Sequence, residues 1–167
     1  MRNDVEFFHE ELKRVSEWIK FADQKIAFLA VYYSALFGFV AVNKDLVIQR
    51  LLSLDGRVLN AVLFVIFLGI ISFSIGIVFI ISTVFPRLKN GLTNESLFYY
   101  GTVSSMKFVD FKKKMSGLPI KGAKEQIIEQ VYTNSVVADQ KMKGVKNGVI
   151  CLLVLTFSVA FIYLFSL

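Results

Sequence analysis

The sequence predicts an all-α integral membrane protein: three transmembrane helices, with a cytosolic helical bundle formed by extensions of the first and third spans. Three observations carry this. The chain of 167 residues is 55% hydrophobic with two prolines, and its mean hydropathy is +0.60, the profile of a small membrane protein rather than a soluble domain. Three runs, 26–42, 61–85 and 149–167, contain no charged residue. At 1.5 Å per residue they reach roughly 25, 37 and 28 Å, so each can cross a hydrocarbon core about 30 Å thick, the second with tilt. Finally, the first and last runs are each entered by a heptad pattern that passes from polar into apolar sequence without a break.

The first helix begins in water. Val5, Phe8, Leu12, Val15, Ile19, Ala22 and Ile26 alternate spacings of three and four, and Leu29, Tyr33, Leu36 and Val40 continue the series. That is the a/d seam of a helix packed on a partner, and neither Pro nor Gly interrupts it before Gly38. Asn3 is the expected N-cap, with Glu6 three residues on, while Glu10 and Glu11 lie near the positive end of the dipole. Residues 1–25 are therefore a cytosolic amphipathic helix running directly into the span 26–42. Such a rod suits the transmission of a displacement from water to lipid, and it equally suits a plain anchor.

Residues 26–85 form a transmembrane hairpin in this reading. Its first span carries Ala27, Ala30, Ser34, Gly38 and Ala41, and its second Gly69, Ser72, Gly76 and Thr83; small stripes let helix backbones approach closely in lipid. The connection contains Asp55-Gly56 as a turn signal and an apolar portion, 46–54, that suits the interface. The second span stops at Phe85-Pro86-Arg87, where proline ends the helix and arginine marks the boundary.

The segment 86–147 starts with an Asn90-Gly91 turn. Thr93 or Asn94 is then a cap, and Val103, Met106, Val109 and Met115 indicate one short helix with Lys112-Lys113-Lys114 near its negative end, closed by Ser116-Gly117-Leu118-Pro119. A second seam follows: Ile128, Val131, Ser135, Ala138, Met142, Val145, Val149 and Leu152 lead into the C-terminal span, 148–167. The first motif, Ala22-Asp23-Gln24-Lys25, recurs in it as Ala138-Asp139-Gln140-Lys141 in the same heptad phase, with Ala at d, Asp at e and Lys at g. Two helices that both run from water to lipid would lie parallel and share a seam through these motifs. Gly144 and Asn147-Gly148, between the second motif and its span, form a candidate hinge.

Basic residues number 5 in 1–25, 3 in 43–60 and 11 in 87–147. The positive-inside rule then places the amino terminus of this multi-pass membrane protein in the cytoplasm. Acidic residues in the same three segments number 6, 2 and 5, so the surplus of +6 resides in one cytosolic segment, where it suits an anionic ligand or anionic headgroups. The same lysines also serve topology alone.

Catalysis finds no foothold. His9 is the sole histidine and stands beside Glu10 and Glu11; Cys151 is the sole cysteine and lies in a span. No Ser-His-Asp or Cys-His set, zinc site, phosphate loop or disulfide framework can be assembled from these. Binding is the open class. Trp18, Asp23, Gln24, Lys25, Arg87, Asp139, Gln140 and Lys141 gather at the point where the seams approach the bilayer. Lys and Arg suit a phosphate, Trp a stacked base, and Asp or Gln a base edge. Read structurally, the same residues are interface anchors and interhelical ion pairs.

Trp18 followed by Ala22-Asp23-Gln24-Lys25, the stop at Phe85-Pro86-Arg87, the stretch Ser96-Leu97-Phe98-Tyr99-Tyr100-Gly101 and a final amphipathic helix entering a terminal span resemble the transmembrane effectors of Pycsar antiphage systems. The resemblance covers nearly the whole chain. It implies an effector without a cofactor that is activated by a cyclic pyrimidine nucleotide, cyclic UMP or cyclic CMP, made by a partner pyrimidine nucleotide cyclase. Activation would impair the inner membrane and cause abortive infection. The expected partners are that nucleotide, membrane lipid and further copies of the chain in a homo-oligomer, with no nucleic acid. Two other readings of the residues remain: a structural adaptor that binds a partner protein through its coiled coil, and a holin-like pore former that needs no signal.

Overall fold

The computed structural model describes residues 4–85 and 96–164; 91% of them are helical and none is in a strand. Among the described residues six helices follow one another: α1 Asp4–Val42, α2 Lys44–Leu52, α3 Gly56–Val84, α4 Tyr100–Ser105, α5 Phe108–Ser116 and α6 Ile120–Leu164. α1, α3 and α6 are long and apolar enough to cross a membrane. At 39 and 45 residues, α1 and α6 extend for about 58 and 68 Å, roughly twice a hydrocarbon core. The Asn3 cap, the Pro86-Arg87 stop, the Asn90-Gly91 turn and the Thr93 or Asn94 cap lie outside the described residues.

The chain divides into two compact units, residues 1–21 with 86–140 and residues 22–85 with 141–167. α1 and α6 contribute to both. The second unit holds the apolar helices. Ala22, Ile26, Leu29 and Tyr33, all positions of the expected seam, are its most buried α1 residues. Ile26, Leu29 and Val145 make its core, with Ile80 and Leu152 packed against them. α6 runs parallel to α1, for Asp23 pairs with Lys141, the Tyr33 hydroxyl donates to the Gly148 carbonyl at 3.1 Å, and the Phe39 and Tyr163 rings lie 4.8 Å apart. Tyr33 is 1% exposed, and a hydroxyl buried that far from water requires such a partner.

α3 runs antiparallel to both and packs against each, and its small stripe decides how. Its buried residues are Val62, Gly69, Ser72, Gly76 and Thr83. The Ser72 hydroxyl donates to the Cys151 carbonyl at 2.7 Å, and a Cβ on Gly69 would lie 3.3 Å from Ser158 Cβ. A Cβ on Gly76 would overlap the Tyr33 hydroxyl. The stripe on α1 behaves otherwise: Ala27, Ser34, Gly38 and Ala41 are exposed, and nothing lies within 4 Å of a Cβ placed on Gly38. α1 meets α3 instead through aromatic rings, Tyr33 and Phe37 at 5.9 and 5.8 Å from Phe73. The expectation that both stripes close a hairpin therefore holds for α3 alone, because bulk on α1 fills the gap that glycine opens on α3. Asp55-Gly56 is likewise the start of α3 rather than a hairpin turn.

In the first unit Ile127 and Val137 of α6 are buried with Leu97, and the Lys124 ammonium sits 5.1 Å from the centre of the Phe8 ring on α1. The expected short helix is two, α4 and α5, separated by extended backbone at Met106 and Lys107. The Met106 amide closes α4 on the Val103 carbonyl, so the apolar series from Val103 to Met115 turns a corner that no Gly or Pro announces.

Candidate functional site

Sequence periodicity put Ile128, Ser135, Met142 and Val149 on the inner seam of α6. Ile128, Ser135 and Val149 are exposed, whereas Ile127, Val137, Lys141, Val145 and Gly148 are buried. Val145 and Leu152, both expected seam positions, keep their place in or against the core, while at Ile127, Lys141 and Gly148 the buried residue is the one before the expected Ile128, Met142 and Val149, so half of the seam has slipped by one residue. Glycine is the reason visible in the second unit: a Cβ on Gly144 would overlap the Thr83 hydroxyl, and one on Gly148 would meet Leu29 Cδ1 at 3.2 Å. The side-chain-free positions turn toward their neighbours and carry the helix face round with them. Gly144 and Gly148 are thus close-approach points in an unbroken helix and not a hinge.

The slip has a chemical consequence. Lys141, expected to flank the seam, is 7% exposed, and its ammonium is bound by the Asp23 carboxylate of α1. The Asp23 side chain is 49% exposed. A lysine at a core position cannot remain charged there without a partner; Asp23 supplies it while keeping one side in solvent. The pair sits at the end of the second unit, in the turn before Ile26 and Val145 begin the apolar core. Of the other expected residues in that unit, Gln24 is exposed and Lys25 half-buried.

In the first unit Trp18 is 53% exposed and edge-on to Phe21, 6.1 Å between centroids. With Arg14, Glu17 and Phe21 it borders an open groove, and the Arg14 guanidinium is held by Glu11. Asp139 and Gln140 are exposed. Arg87 lies outside the described residues. Of the eight expected residues, Asp23 and Lys141 are brought together within the second unit, and Trp18, Asp139 and Gln140 belong to the first. Arg14 was missing from the expected set, although its position one turn before Trp18 could have marked it. Also missing was a buried polar cluster, in which the Leu97 amide donates to Gln126 Oε1 at 2.9 Å and Gln130 Nε2 reaches Ser96 Oγ at 3.5 Å. Gln126 and Gln130, four apart on α6, are the signal that could have revealed it. This cluster seats the start of the Ser96–Gly101 stretch on the helix.

Among the described residues no group of His, Cys, Asp and Glu is placed to hold a metal ion. The second unit offers the ammonium and carboxylate of the Asp23–Lys141 pair, and the first unit the Arg14 guanidinium and the exposed Trp18 indole.

No curated protein and no solved structure matches the chain. A family model does: the one described as PycTM, Pycsar effector protein domain, matches residues 7–167. That span holds both units, all three apolar helices and the Asp23–Lys141 pair, so the chain is an integral membrane protein of the PycTM family of Pycsar effectors and acts in antiphage defence.

Proposed function

We propose that this effector senses a cyclic pyrimidine nucleotide, cyclic UMP or cyclic CMP, and in response impairs the bacterial inner membrane, so that the infected cell stops growing before phage mature. The amino terminus and the lysine-rich segment are cytoplasmic in this reading, as the distribution of basic residues favours. The observation that carries it is the Asp23–Lys141 pair, a buried cation held by one carboxylate where two uninterrupted helices enter the apolar core. A phosphate that drew Lys141 from Asp23, or that bound beside the pair and altered its geometry, would act directly on the contact between α1 and α6. Charge-assisted bonds of this kind are about twice as strong as neutral ones. Within the first unit, Trp18 with Arg14 one turn away offers a stacking face and a cation of its own.

Moving such a switch from 1% to 99% active requires the ligand to favour the active state by about 5.5 kcal/mol. One phosphate and one base shared between copies of the chain are of the right size to supply it. The test is membrane potential in cells expressing the protein, with and without each nucleotide. Depolarisation that needs the nucleotide, and that Asp23→Ala and Lys141→Ala abolish without affecting membrane insertion, supports the reading. Killing that is unchanged in both variants rejects the site, depolarisation without nucleotide points to a holin-like pore, and no depolarisation in either condition to an adaptor.

A further inference from the structure

Within the first unit α6 keeps amides on its inner side and shows an apolar stripe to the outside. A helix packed on a water-soluble fold normally does the reverse. Gln126 and Gln130 turn inward to hold the Leu97 amide and the Ser96 hydroxyl, while Ile128 and Tyr132 are 42% and 64% exposed. Ser135 is exposed as well, and Val131 and Ala138 are half-buried. Ile128, Val131, Ser135 and Ala138 are spaced 3,4,3, the alternation of a helix that packs on another helix. With Ile127 and Val137 taking the inner positions, this part of the expected seam is left without its helix.

We propose that the stripe pairs with the same stripe of a second copy, α6 lying parallel to α6 about a two-fold axis normal to the membrane. Three features select that occupant. The spacing fits a helix rather than a loop or a strand. Identical chains insert in one direction, so two α6 helices are parallel and bring identical residues to one level, and a two-fold contact needs only a stripe that suits itself. This one does. Ile128 and Val131 supply bulk, Ser135 and Ala138 let the backbones approach, and the Ser135 hydroxyl is already bonded to the Val131 carbonyl at 2.7 Å, so it brings no unmet donor. Finally, the flanks do not repel: in this register Asn134 lies across from Asp139 of the second copy, an amide facing a carboxylate. The stripe is short, about 15 Å from Ile128 to Ala138. Copies already held in one membrane by apolar helices lose little further freedom on pairing, so a short seam suffices. The proposal does not depend on the nucleotide reading.

The test is disulfide formation between copies of the full-length protein in the membranes of expressing cells, with Cys151→Ala removing the one native thiol and copper phenanthroline as oxidant. Facing seam positions of a parallel helix pair come within the Cα separation that a disulfide spans, so Ile128→Cys and Ser135→Cys should cross-link about tenfold faster than Gln140→Cys and Lys20→Cys. Gln140 and Lys20 are exposed in the same unit but off the stripe. Ile128→Glu combined with Tyr132→Glu should slow cross-linking at Ser135→Cys by about tenfold, since like charges would then face each other along the seam. Both positions are exposed, and the helical content of that variant by circular dichroism should stay that of the parent. Equal rates at the four cysteine positions overturn the proposal. So does undiminished cross-linking at Ser135→Cys in the glutamate variant, and so does cross-linking confined to Gln140→Cys or Lys20→Cys, which would place the contact on another face.

Discussion

The chain contains the same four residues twice, Ala-Asp-Gln-Lys at 22–25 and at 138–141, and treats them differently. In the first copy alanine is the innermost residue, fully buried, and lysine is half-buried. In the second, alanine is half-buried and lysine takes the inner position. Local sequence cannot account for this, because it is the same. What differs is the turn that follows: Ile26, Leu29 and Tyr33 after the first copy are large and form a continuous apolar ridge, whereas Gly144 and Gly148 after the second leave hollows that Thr83 and Leu29 fill. The face a helix buries is settled by where its neighbours come closest, and a motif is carried to whichever side that choice dictates.

The difference predicts unequal responses to mutation. The largest effect should come from Asp23→Ala, which leaves Lys141 buried and unpaired. Loss of one partner of a buried pair costs about 3 kcal/mol, reduced here because half of Asp23 faces solvent, and thermal unfolding in detergent should show it as a clear drop in Tm. Lys141→Met should restore or exceed the original Tm in the same background, since an apolar residue of similar size suits the position; a double variant as unstable as Asp23→Ala alone would refute the account of the pair. Asp139→Ala, the equivalent change in the second copy at an exposed position, should shift Tm little.

Next in size, Gly144→Ala and Gly76→Ala should each cost about 2 kcal/mol by overpacking, whereas Gly38→Ala, on the open stripe of α1, should be neutral or stabilising by up to about 1 kcal/mol. Equal tolerance at all three positions would mean that the glycines do not set the faces. Smaller still, Ser72→Ala, which deletes the hydrogen bond to the Cys151 carbonyl, should cost about 0.6 kcal/mol, the average for such bonds between membrane helices. Trp18→Ala should change the unfolding free energy by no more than about 0.5 kcal/mol, as expected for an exposed residue, while lowering the nucleotide-triggered loss of membrane potential.

The spans were legible because uncharged length is a one-dimensional signal, and the α1 seam because eleven apolar positions keep one phase with no glycine among them. The small stripe of α3 was legible because Gly69, Ser72, Gly76 and Thr83 keep one helical phase. Three features were not. The phase of α6 depends on glycines whose value lies in what a neighbour does to the space beside them, and heptad counting gives such positions no weight. The break between α4 and α5 occurs at Met106 and Lys107, neither of which carries a turn signature. The expected ligand residues were chosen for their nearness to the bilayer, a property that Trp18 and Lys141 share while belonging to different units. The meeting of Asp23 with Lys141 follows from the parallel course of two helices, but the burial of the lysine follows only from the slipped phase.

The polar and small residues that line the inside of α3 also bear on how this protein could damage a cell. Gly69 and Gly76 lie against the Ser158 and Tyr33 side chains, Ser72 bonds the Cys151 carbonyl and Thr83 fills the space beside Gly144, so this face of α3 leaves no room for a file of hydrated ions. If the proposed impairment of the membrane is a leak, it would accordingly open along the outer walls of the molecule, among several molecules or in the lipid they disturb. Conductance should therefore climb more steeply than in proportion to the number of molecules per area of membrane.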